Sequence, residues 1–187
     1  MAIEFRDTVK GQITQAVLTA LLERCGYRVA RLGIEELFGD VKWKERQQYQ
    51  ELPRQLRYLP DLLVASVSSP AESRPLLVEV KFRRRFDERS ARNLFEALRR
   101  QRRHWPDSHA VLMIAEPFWR KARFHQDFIR VLPPGQTQNL IDGTLDPRRR
   151  WERLPHLEHV FEAFCGSEAN RALADFVTLA LRSLAGL

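Results

Sequence analysis

The stretch Leu76-Leu77-Val78-Glu79-Val80-Lys81-Phe82 decides the fold, because its two faces carry opposite chemistry. Side chains alternate along a strand, so residues two apart point the same way. Leu76, Val78, Val80 and Phe82 then make one wholly apolar face that belongs against a core, while Glu79 and Lys81 share the other.

Outward from it, Pro60-Asp61 opens a second apolar run, Asp61-Leu62-Leu63-Val64-Ala65-Ser66-Val67, rich in aliphatic and β-branched residues. Ser68-Ser69-Pro70-Ala71-Glu72-Ser73-Arg74-Pro75 between the runs is a turn or loop by composition. The whole reads as a hairpin. If the chain reverses near Ala71, Asp61 falls opposite Glu79 or Lys81, and directly opposed residues point to the same face. A slip of one residue would separate the three groups. Two acids and a lysine so gathered can hold a hard divalent cation beside a water and a phosphate. The plain alternative is that Asp61 merely starts a strand and that Glu79 and Lys81 form an ordinary exposed pair.

The chain of 187 residues, 44% hydrophobic and 29% charged, has the profile of one soluble globular domain spanning 1–187. At this length roughly 70% of the unfolded surface can be buried, so no staples are needed. Cys25 and Cys165 lie in helix-like apolar stretches, without ligand spacing, and read as buried thiols. Arg6 and Lys10 interrupt the first residues, so no signal peptide is expected, and no apolar run approaches the roughly 20 residues that span a bilayer. The expected setting is cytoplasmic, intracellular and reducing, with no membrane partner.

Net charge is +7, unevenly spread: ten Lys or Arg against three acids lie between Lys81 and Arg103. This basic stretch starts at the carboxylates, in Lys81-Phe82-Arg83-Arg84-Arg85, and enters a helix expected from about Asp87 to His104. Basic side chains gain affinity for nucleic acid by displacing condensed counterions, so a polyanion is the expected partner. Arg83, Arg84, Arg85, Arg99, Arg100 and Arg103 are the candidate nucleic-acid contacts, which would position a substrate without reading its sequence. The bland reading is a solvated, arginine-decorated helix face.

The rest of the chain reads as α/β. A helix is expected over Thr8–Cys25, with Ile13, Val17, Ala20, Leu21 and Cys25 as its apolar stripe and Gly26 ending it. Tyr27–Leu32 reads as a strand. From Gly33 to Leu59 no clean period exists, and Trp43 and Tyr49 among basic residues fit a substrate-facing segment or a peripheral anchor. His109–Ala115 is a buried-type strand, Phe124–Val131 another, and Pro133–Arg150 an exposed connection. His104 and His109, with Trp105 and Pro106 between, lack further ligands for zinc and read as a helix end and a strand start. From His156 onward Leu157, Val160, Phe161 and Phe164, then Leu173, Phe176, Val177, Ala180 and Leu181, read as a C-terminal helical extension over about 155–187 that completes the core or forms a homodimer seam.

Pro60-Asp61 followed by Glu79-Val80-Lys81, in this hairpin context, resembles the nucleases carrying the PD-(D/E)XK motif, which include restriction endonucleases and Holliday-junction resolvases. The element order resembles their αβββαβ core over about 8–116, and implies a restriction-endonuclease-like fold with a central mixed sheet flanked by helices. The resemblance implies that Asp61 and Glu79 bind Mg²⁺, with Mn²⁺ as a substitute, that the Val80 backbone carbonyl adds a ligand, and that Lys81 acts on the water or the phosphate. Many members bring a glutamate from the first helix; here Gln15, or Gln12 one turn earlier, stands in its place, and an uncharged amide would hold a second metal less well. Glu23, about two turns from Gln15, is read as an exposed residue. Some members carry a glutamine on the helix after the lysine, where Gln101 is the one available.

The implied activity is metal-dependent hydrolysis of phosphodiester bonds in duplex or branched DNA, in repair, recombination or restriction, with Asp61, Glu79, Lys81 and Gln15 as the site. The runner-up is an inactive protein of the same fold that binds nucleic acid within a larger complex. A basic protein-interaction adaptor is a third reading.

Overall fold

A computed structural model describes residues 2–33, 52–67, 74–118 and 125–164. Helix α1 (Ala2–Arg24) runs into strand β1 (Tyr27–Arg31), and a short helix α2 (Arg54–Arg57) precedes β2 (Leu62–Ser66) and β3 (Leu76–Arg83). Helix α3 (Glu88–Arg102), β4 (His109–Ile114), helix α4 (His125–Phe128) and β5 (Ile129–Leu132) follow. A 3-10 turn at Thr137–Ile141, helix α5 (Pro147–Arg153) and 3-10 turns at Leu157–His159 and Glu162–Phe164 close the described chain.

The strands form one sheet in the order β1-β2-β3-β4-β5, antiparallel except for the parallel pair β3-β4. It is a mixed sheet with helices on both faces. The parallel pair needs a crossover, which α3 supplies. In the β2-β3 hairpin Leu62 pairs with Val78 and Val64 with Leu76; its connecting residues 68–73 lie outside the described residues.

Alternation along the strands sorts the core into two layers. On one face Leu18, Leu21 and Leu22 of α1 pack with Leu62, Val64, Val78, Val80, Val111, Met113, Val131, Leu157 and Phe161, and with the half-buried Leu76 and Phe82. On the other, Ala91, Leu94 and Leu98 of α3 pack with Ala110, Leu112, Ile114, Leu140, Trp151 and Leu154. The apolar side of β3 therefore faces α1, and Glu79 and Lys81 look toward α3. β4 is buried on both faces, as its unbroken apolar sequence requires.

Local signals set the element ends. Gly26, at φ 85°, adopts the left-handed conformation that lets α1 stop and β1 begin. The Asp87 carboxylate accepts from the Ser90 N–H while the Ser90 hydroxyl accepts from the Asp87 N–H, a reciprocal cap on α3. Asp146 accepts from the Arg149 N–H at the start of α5, and Pro147 occupies the first turn. At the other end of α3, Arg102 donates to the Leu132 carbonyl, 2.7 Å, and to the Thr137 hydroxyl.

Four expectations are corrected. α1 begins six residues earlier than Thr8, and Ala20 is exposed while Thr14, Leu18 and Leu22 line its buried side. Four of the residues read as a strand over Phe124–Val131 are helical, α4, before β5 starts at Ile129. The connection Pro133–Arg150 is not wholly exposed: Leu140 and Arg150 are buried, and Arg150 pairs with Glu88 and donates to the Leu140 carbonyl. From His156 the described chain forms 3-10 turns rather than an α-helix, although Leu157, Phe161 and Phe164 are buried at the expected spacing. Trp43, Tyr49, Cys165, Leu173, Phe176, Val177, Ala180 and Leu181 lie outside the described residues, and with them the suggested dimer seam. Among the described residues no helix is long and apolar enough to cross a membrane.

The revised stripe of α1 is testable. Leu18→Ala should lower stability by about 2–5 kcal/mol, whereas Ala20→Gln should stay within about 0.5 kcal/mol of wild type. Urea denaturation of the two variants measures both.

Candidate functional site

The β2-β3 register, continued by one residue beyond Leu62↔Val78, sets Asp61 opposite Glu79. The ladder stops there, and the Asp61 carboxylate takes over: its Oδ2 accepts the Val80 backbone N–H at 2.7 Å. Its Oδ1 accepts Gln15 Nε2, also at 2.7 Å, so α1 is tied to the hairpin at this point. Glu79, whose side chain is 9% exposed, accepts Lys81 Nζ on Oε1 and Gln101 Nε2 on Oε2. The site thus draws one glutamine from each helix layer, one carboxylate from β3 and one from the residue that precedes β2.

Of the sequence candidates, the structure brings together Asp61, Glu79, Lys81, Val80 and Gln15. Gln12 is exposed and Glu23 is exposed near the far end of α1. Gln101, named in the sequence only as the glutamine available on the helix after Lys81, is buried and donates to Glu79. The basic candidates divide. Arg84 and Arg85 turn to Glu116, and Arg83 donates to the Phe82 carbonyl at 2.6 Å. Arg100 lines a cleft of about 280 Å³ together with Glu79, Lys81, Gln101, Arg57 and Tyr58. Arg103 lines an adjoining space, and Arg99 is exposed outside both. Arg57 and Tyr58, from the segment without a clean period, were not foreseen.

Burial alone would pull the Lys81 ammonium below its ordinary pKa of 10.5. The Glu79 and Asp61 carboxylates and the hydrogen bond to Glu79 outweigh that, and Arg83 opposes them; the result is a pKa above the ordinary value. Lys81 therefore feels both acids at once, the electrostatic signature of three converging groups. It stays charged at neutral pH and can donate or stabilise negative charge, but cannot act as a base there.

Among the described residues no group of three or more His, Cys, Asp or Glu comes together. A cation here would rest on two carboxylates and neutral oxygens. The donor set fits Mg²⁺, which needs only one or two protein carboxylates and keeps waters and phosphate oxygens in its shell. Each carboxylate oxygen of the pair accepts from a protein donor, and a carboxylate oxygen can accept more than one. Gln101 Oε1 is buried without a hydrogen-bond partner, an acceptor waiting beside Glu79 for a donor such as an ion's hydration water. The Val80 N–H and C=O leave the strand on the same side, so its carbonyl also faces Asp61.

Compared with protein-family models, with curated proteins and with solved structures, the chain finds no match in any of the three.

A folded-state pKa above the unfolded one means that the stability from Lys81 is complete below about pH 10.5 and is lost as pH rises through the folded value. The difference in unfolding free energy between wild type and Lys81→Met should therefore be level from about pH 7 to 10 and change, at wild type's expense, only above that. Urea melts of both proteins across this range measure it, tyrosine titration cancelling in the difference.

Proposed function

We propose that this protein is a metal-dependent nuclease of the PD-(D/E)XK kind, with a restriction-endonuclease-like core, that hydrolyses phosphodiester bonds of DNA. The observation that carries the reading is the meeting of Asp61, Glu79 and Lys81 at the end of the β2-β3 ladder, beside a cleft edged by Arg57 and Arg100. Asp61, Glu79 and the Val80 carbonyl would hold Mg²⁺, or Mn²⁺ in its place. When bound, the ion supplies polarisation of the phosphate and a lowered pKa for the attacking water. Gln15 and Gln101 fix the carboxylates in orientation, so that little reorganisation is needed when substrate arrives. Lys81, held cationic, offsets the charge that develops on the phosphate as the water adds. Arg57 and Arg100 position the strand.

One observation favours the second reading, a DNA-binding protein that does not cut. All four carboxylate oxygens already have protein partners, and the first helix offers an amide where an acid would strengthen cation binding. Both readings predict binding, and only one predicts hydrolysis.

Asp61→Ala or Lys81→Ala should slow cutting by about a hundredfold or more, equivalent to about 3–4 kcal/mol of barrier, with the far-ultraviolet circular dichroism unchanged. The assay is cleavage of single-stranded, duplex and branched DNA with Mg²⁺ or Mn²⁺, before and after a chelator. Cutting that survives the chelator, or binding without cutting under either metal, sinks the nuclease.

Gln15→Glu sets a carboxylate against Asp61, and two like charges in contact repel unless a cation lies between them. The variant should melt lower than wild type in chelator and regain more of its Tm than wild type when Mg²⁺ is added. Equal responses to Mg²⁺ in both proteins would count against a cation site here.

A further inference from the structure

A second basin adjoins the carboxylates. It encloses about 310 Å³ between Arg54, Arg57, Tyr58, Arg100, Arg103 and His104, and shares Arg57, Tyr58 and Arg100 with the cleft that holds Glu79 and Lys81. Among the described residues no carboxylate lines it. Among the described residues Arg54, Arg100 and Arg103 form no ion pair, in contrast to Arg84, Arg85, Arg148 and Arg149.

The crowding of these groups is imposed by the fold. The Tyr58 ring stacks on His104 with centroids 5.1 Å apart and planes 8° from parallel. Trp105 Nε1 donates to the Gln55 carbonyl at 3.2 Å, across 50 residues of chain. Together the two contacts hold α2 against the end of α3, so that guanidinium groups from both segments face one space. Like charges around a concavity raise one another's energy, and an anion relieves them. The guanidinium fork matches phosphate in particular, since it stays charged and offers paired N–H donors.

The geometry points to a second phosphate site formed by Arg54, Arg57, Arg100 and Arg103. It grips a phosphate neighbouring the one at the carboxylates on the same nucleic-acid strand, and so sets where along the strand the bond at Lys81 lies. This deepens the nuclease reading and rests on it for the act of cutting; the phosphate grip rests on the arginines. The phosphate comes either from a strand end, as a monoester, or from the strand interior, as a diester.

The test is fluorescence anisotropy on internally labelled single-stranded oligonucleotides bearing a 5′-phosphate, a 3′-phosphate or hydroxyls at both ends, with the full chain and no divalent metal. R54A/R103A should weaken binding by about tenfold or more and lower the slope of log K against log salt by about 0.7, one phosphate contact. R148A/R149A, which removes the same charge from α5, should leave the slope unchanged and the affinity closer to wild type. A loss confined to one phosphorylated end assigns a terminal phosphate, and a loss equal for all three oligonucleotides an internal one; either supports the site. R54K/R103K, which keeps charge but loses the fork, should also weaken binding, and it decides the matter should the alanine variant fail to fold. Equal losses in R54A/R103A and R148A/R149A, or none in either basin variant, overturn the proposal. Hydrolysis of DNA and of bis(p-nitrophenyl) phosphate by wild type with Mn²⁺ is read separately: if neither is cut, the nuclease fails while the anisotropy still decides the basin.

Discussion

The Asp61 carboxylate standing in for a missing strand residue is the contact on which the rest depends. β2 begins at Leu62, so the Val80 amide has no backbone partner across the hairpin, and Asp61 Oδ2 receives it instead. An unmet buried N–H would cost about 1–3 kcal/mol. The same side chain takes Gln15 on its other oxygen and thereby fixes α1 against the hairpin. One residue thus closes a ladder, anchors a helix and places a negative charge where Lys81 feels it.

Glu79 states the energetic side of that arrangement. Turned toward the apolar layer formed with α3, its charge would be costly to bury alone, and Lys81 and Gln101 offset the cost from two directions. Apolar residues of similar volume at buried ion pairs are commonly as stable or more so. Valine would serve β3 here, as it does at Val78 and Val80. A charged trio kept against the sheet, with its carboxylate oxygens satisfied from α1, β3 and α3, is organised for chemistry or recognition more than for stability.

The alternation in Leu76–Phe82 was enough to read the hairpin and the side on which Glu79 and Lys81 lie, because a period of two admits no other burial of Val78 and Val80, but it left Asp61 opposite either Glu79 or Lys81, two registers that keep the same faces. Asp87 and Gly26 marked element ends through cap and turn chemistry that acts locally. Gln101 was named through the family resemblance alone, although the helix itself made it legible: Ala91, Leu94 and Leu98 set a buried stripe whose next position is 101, so a polar residue there had to find a partner in the core. Asp146-Pro147 carried the start of α5 in the same way, hidden by the turn residues around it. Arg54, Arg57 and Tyr58 could not be placed, since a four-residue helix shows no period and its docking depends on His104 and Trp105, far away in sequence.

The charge of +7 is distributed with a sense that composition does not express. Arg84 and Arg85 spend themselves on Glu116, and Arg102 is drawn inward to Leu132 and Thr137. Arg100 and Arg103, which form no ion pair among the described residues, lie at the C-terminal end of α3, where the partial negative charge of the helix end favours cations and eases their crowding. The cleft consequently sets the Glu79 carboxylate and Lys81 in one space with Arg57 and Arg100. A cation alone would answer only the carboxylate, and an anion alone only the guanidinium groups. Under the proposed nuclease reading a phosphodiester with an accompanying cation would answer both, the cation at the carboxylate and the phosphate at the guanidinium groups, with Lys81 beside them.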